Sequence, residues 1–131
     1  MRIEVKRIAE DEENLKIGEI ISDFKRMKSW RDPLRPFRAI KQPYGAIAVI
    51  LPEKCDKYGK IAEPSFSGWW IERRNPPVGC KQALLDQLKI ILNSAVDVGS
   101  IPSGPPWDGL RRLVVLYAVF EFGKAKARSH E

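Results

Sequence analysis

The chain has 131 residues, 44% hydrophobic and 31% charged, with 23 basic and 17 acidic side chains and a formal net charge of +6. That length suits one domain able to bury roughly two-thirds of its unfolded surface, and that composition excludes wholesale disorder. No apolar run reaches the ~18 residues of a membrane span. Two cysteines and the single His130 are too few for a tetrahedral Cys/His zinc site within one chain.

The opening Met1-Arg2-Ile3-Glu4-Val5 alternates apolar and charged residues. It predicts a strand over Arg2–Ile8. It does not read as a signal peptide, so the expected compartment is the cytoplasm. The acidic run Glu10–Glu13 precedes apolar residues at 17, 20, 21, 24, 27 and 30. Those steps of three and four predict a helix over about 18–30, with acids suitably placed before its N-terminus. A strand using Leu15, Ile17 and Ile21 is the rival, since Gly18 weakens an early helix. Pro33, Pro36 and Pro43 make 31–43 an irregular loop.

Tyr44–Leu51 is continuously apolar and predicts a strand buried on both faces, ended by Pro52. Glu53–Pro64 is charged and turn-prone. Phe66–Arg73 reads as a second strand, paired antiparallel with the first of the two, and 75–79 is a break. Cys80–Val98 carries Leu84, Leu85, Leu88, Ile91, Leu92, Ala95 and Val96 and predicts a helix stopped by Gly99. Ser100–Gly109 is a Pro/Gly loop. Leu110–Phe122 is a final strand, with a helix as runner-up. Residues 124–131 form a flexible basic tail. The order strand, helix, strand, strand, helix, strand describes a single α+β domain over 1–123. An antiparallel sheet with two helices, the ferredoxin-like pattern, is the expected architecture.

The charge is concentrated. Lys25, Arg26, Lys28, Arg31, Arg35, Arg38 and Lys41 face only Asp32 between Lys25 and Tyr44, a local charge of +6. Removing those residues from the totals leaves 16 of each sign, which cancel. Trp30, Phe37 and Tyr44 punctuate the same stretch. Clustered cations release counterions when they neutralise phosphates, and aromatics stack on bases. The expected partner is therefore nucleic acid, DNA or RNA, bound with little sequence preference. Lys25, Arg26, Lys28, Arg31, Arg35, Arg38 and Lys41 would hold phosphates; Trp30 and Trp70 would stack. The structural alternative is a solvated helix flank followed by a proline-braced loop.

Other motifs are thinner. In Phe66-Ser67-Gly68-Trp69-Trp70 a strand would turn the two tryptophans to opposite faces, one into the core and one outward. The outward one would stack on a base or cover a homodimer interface. The loop 99–109 lacks the Gly-Lys-Ser/Thr of a phosphate cradle. No internal histidine serves a triad or general base, and no catalytic, metal or cofactor signature is present. The second functional expectation is a structural or protein-interaction protein, a homo-oligomer or a host-factor binder. Cys55 and Cys80 read as free thiols; a disulfide would suit a hyperthermophile.

Abundant charge, three Asn, three Gln and prolines placed in loops give a thermophilic texture. In length and texture the chain resembles small proteins of viruses that infect hyperthermophilic archaea, such as a spherical virus of Pyrobaculum. The resemblance implies a viral origin and, for its place of action, the host cytoplasm. It implies no activity and no site residue.

Overall fold

A computed structural model describes residues 2–9, 12–29, 44–107 and 110–122. Seven elements follow in order: β1 (Arg2–Arg7), α1 (Glu13–Ser29), β2 (Tyr44–Lys54), α2 (Phe66–Glu72), α3 (Gln82–Asn93), β3 (Asp97–Trp107) and β4 (Arg111–Glu121). The four strands make one mixed sheet in the order β1-β2-β4-β3. β1 and β2 are parallel; β2–β4 and β3–β4 are antiparallel. A parallel pair requires a crossover, and α1 supplies it. The single α+β domain is as expected. The ferredoxin-like arrangement is not: that sheet is wholly antiparallel, whereas here β1 runs parallel to β2, and the described residues form three helices.

α1 buries Ile17, Ile20, Ile21 and Met27, the stripe read from the sequence, and begins five residues earlier than expected. Gly18 costs the helix about 1 kcal/mol relative to Ala, and burial of that stripe outweighs it. Before α1, the Glu12 carboxylate accepts the Ala9 N–H at 3.2 Å while its carbonyl accepts the Lys16 N–H. At the far end the Ser29 hydroxyl donates to the carbonyls of Lys25 and Arg26.

The segment expected as a strand at 66–73 is the short helix α2. Aromatic residues favour strands, yet Phe66, Trp69 and Trp70 also recur at helical spacing and are all buried together. The Ser65 hydroxyl decides the local choice by accepting the Gly68 N–H at 3.0 Å as an N-cap. Arg73, at φ 57°, closes the helix by donating its N–H to Trp69 O. α3 also stops short of expectation, at Asn93. Ser94 turns its hydroxyl and its N–H back to Ile91 O there.

Gly99 is therefore no helix stop. It lies in β3 opposite Tyr117, whose ring occupies the space a Cβ would need. The expected loop at 100–109 is mostly the rest of β3. As an edge strand it tolerates Pro102, since every other N–H faces away from the sheet. Pro52, expected to end β2, sits inside it. The β1 pairing has already stopped at Ile50, so its missing N–H breaks no ladder on that side.

The core is a single cluster between the three helices and one sheet face. Ile47, Val49 and Leu51 of β2 and Val114, Leu116, Ala118 and Phe120 of β4 meet Ile17 and Ile20 of α1, Trp69 and Trp70 of α2, and Leu85 and Leu88 of α3. Gly45 lets α1 approach closely, because Met27 fills the space of its missing side chain. Trp70 is fully buried, and its Nε1–H donates to Tyr117 O at 3.0 Å. Trp70→Ala should lower unfolding stability by about 3–5 kcal/mol, read by urea denaturation followed by circular dichroism. A drop below about 1 kcal/mol would contradict this placement.

Candidate functional site

Of the residues expected to bind nucleic acid, Lys25, Arg26, Lys28 and Trp70 are described. Trp30, Arg31, Arg35, Arg38 and Lys41 lie outside the described residues, as do His130 and the tail expected at 124–131. Lys25, Arg26 and Lys28 occupy the last two turns of α1, all exposed or nearly so. Lys25 and Lys28, three residues apart, are neighbours on the helix surface. Cations here also complement the negative end of the helix dipole.

Arg26 differs from the two lysines. Its guanidinium pairs with the Asp23 carboxylate, which is only 2% exposed. Lys6 of β1 reaches the same carboxylate at 3.0 Å and Glu19 at 3.3 Å. The hydrogen bond to Asp23, with a smaller one to Glu19, raises the Lys6 pKa against the lowering effect of burial. Lys6 thus anchors β1 to α1, and Arg26, on the same helix as Asp23, shares that carboxylate from the solvent side. Trp70 must be removed from the stacking set. It sits on a helix rather than a strand, at 0% exposure, with its N–H bonded to the sheet.

A cleft of about 580 Å³ opens where β1 and β2 end and β4 begins, beside the start of α2. Glu13, Glu53, Glu63, Ser65, Cys80 and Arg111 line it. Glu53 is 8% exposed and accepts the Ser67 hydroxyl at 3.0 Å. Ser65 lies 3.3 Å from Ser67 and donates its hydroxyl to Glu63 at 3.1 Å. Each serine thus donates its one hydroxyl proton to a different carboxyl group, and the two hydroxyls lie side by side. Burial raises the Glu53 pKa above its ordinary 4.5, outweighing the lowering by the Ser67 hydrogen bonds. Burial, with the charges of Glu13 and Glu53, also pushes the Cys80 thiol up to about 11. That thiol is a poor nucleophile at neutral pH because little thiolate forms. Cys55 and Cys80 are free. Among the described residues no three His, Cys, Asp or Glu side chains group as a metal site. The chemistry on display is a polar clasp joining the start of α2 to the end of β2. The sequence gives no signal for it, because Glu53, Ser65 and Ser67 form no motif; only the fold gathers them.

The outer sheet face is the third feature. By strand alternation Ile3, Val5, Ile50, Val115, Tyr117 and Ile101 lie on the side away from the helices. Among the described residues no helix covers it. Also among them, no helix is long and apolar enough to cross a membrane. Comparison with protein families, curated proteins and solved structures returned no match.

The raised Glu53 pKa has a consequence for stability. The folded carboxyl holds its proton more tightly than the unfolded one, so folding takes up a proton between pH 4.5 and the raised value. Stability from this group is complete below 4.5 and falls as pH rises through that window. Glu53→Gln, which cannot titrate, should gain urea midpoint relative to the native chain as pH rises from below 4.5 to neutral. A midpoint difference that stays constant over that range would contradict the placement.

Proposed function

We propose that the protein binds nucleic acid without catalysis, through the basic end of α1 and the basic segment that follows it. One observation carries this reading. Lys25 and Lys28 stand side by side at the C-terminal end of α1, and neither is ion-paired among the described residues. They begin the stretch that holds the chain's whole net charge. Their neighbours in sequence, Arg31, Arg35, Arg38 and Lys41, extend the same charge. Affinity would come from backbone phosphates and counterion release, so sequence preference would be small. Trp30 keeps its proposed stacking role; Trp70 does not.

Fluorescence anisotropy with labelled single- and double-stranded oligonucleotides across a salt series tests this. Binding should weaken with salt at a log–log slope of about −3 or steeper. Lys25→Ala with Lys28→Ala should make that slope shallower by about 1.8, near 0.9 for each phosphate left without its cation. Arg31→Glu, Arg35→Glu and Arg38→Glu together should abolish binding with the circular dichroism spectrum unchanged. No binding at low salt, or full affinity in the folded triple variant, would overturn the proposal.

A further inference from the structure

We infer that the outer face of the sheet is a homodimer interface, in which two copies pack sheet against sheet with their strands turned end for end.

The case begins with β1. Its half-buried side carries Arg2, Glu4 and Lys6 toward the helices, and its open side carries Ile3 and Val5. An edge strand of a lone domain is expected to do the opposite, placing apolar residues inward and charge outward. Here Lys6 is held by Glu19 and Asp23 of α1, so the charged side is committed to the helix layer. The orientation leaves Ile3 58% and Val5 57% exposed, and Ile101 on the opposite edge strand 55% exposed. Between them lie the half-buried Ile50, Val115 and Tyr117. The face is apolar from edge to edge.

Its size suits a second copy. Four strands at ~4.8 Å spacing and up to eleven residues long present roughly 19 by 30 Å, close to 600 Å² in projection. With rim side chains such as Tyr44 and Arg7 this approaches the ~800 Å² per partner of a stable interface. Two twisted sheets pack face to face about 10 Å apart, with strands within about 30° of alignment.

Charge selects the occupant and its orientation. Arg7 and Lys54 lie on this face at one end, where β1 and β2 finish; Asp97 and Glu121 lie at the other. A two-fold axis across the strands sets the basic end of one copy over the acidic end of the next and repeats the contact by symmetry. A nucleic acid laid along the same face would meet apolar surface and, at one end, two carboxylates, which disfavours it.

Sedimentation equilibrium of the full chain should give twice the chain mass at micromolar concentration. Ile101→Lys, at an exposed edge position where the monomer fold is not at stake, should raise the dimer dissociation constant by at least about 100-fold. Val115→Glu should do the same at the centre of the face. Ile90→Glu, exposed on α3, should leave the dimer intact. A carbodiimide, which joins an amine to a carboxylate in contact, should link Lys54 of one copy to Glu121 of the other. Within one chain these residues lie at opposite ends of the β2–β4 ladder, about 34 Å apart. A monomer at every concentration, a dimer indifferent to both Ile101→Lys and Val115→Glu, or cross-links joining a different face would each overturn the inference. So would a monomer in which nucleic acid shields this face from deuterium exchange.

Discussion

The ladder between β2 and β4 is the frame of the molecule. Its eleven residue pairs run from Tyr44–Glu121 to Lys54–Arg111. β1 adds to one side of it and β3 to the other, and the helices rest on the side chains it turns to one face. The parallel addition of β1 imposes the α1 crossover. That crossover in turn brings the basic end of α1 to the end of the sheet where β2 begins. Electrostatics reinforces the joint, since Lys6 and Arg26 share the buried Asp23. Removing one of those partners would leave charge in a poorly solvated place, which is why such pairs constrain geometry more than they add stability.

A one-sided core follows from this frame. Three helices cover one sheet face, and Trp70 ties their layer to β4 through Tyr117 O. The same one-sidedness separates the two proposed surfaces. The helix side supplies the lysines proposed to meet phosphate; the other side is apolar and proposed to meet a second copy. The two readings do not compete for residues. A sheet-to-sheet dimer would leave α1 on the outside of both copies, so each would keep its basic end accessible. Two linked binding strips raise apparent affinity through effective concentration alone.

The cleft at the strand ends illustrates why a perturbed group does not by itself name an activity. Glu53 is buried and its pKa raised, and such groups are common in active sites. Here its partner is Ser67, with Ser65 bonded to Glu63 beside it, and these bonds hold the start of α2 in place. Cys80 beside it is pushed toward the unreactive thiol. Those contacts describe structural work.

Periodicity along the chain is enough to locate the long elements, and counting residues is enough to locate the charge. The stripe Ile17, Ile20, Ile21, Met27 and the run in β4 each extend far enough for one period to prevail, and net charge needs no fold to be counted. Short or ambiguous segments were decided by tertiary structure. Phe66–Glu72 satisfies both a helical and a strand reading, and the Ser65 cap with burial of three aromatics at spacing three and four selects the helix. The prolines of β3 look like loop punctuation until the strand is known to lie at an edge. Alternation in β1 announced a strand but not which side would face the helices; the α1 carboxylates Glu19 and Asp23 settled that by claiming Lys6. Local periodicity acts over neighbours in sequence. Sheet order, edges and faces depend on contacts between distant residues, and the two proposed surfaces are separated at that level.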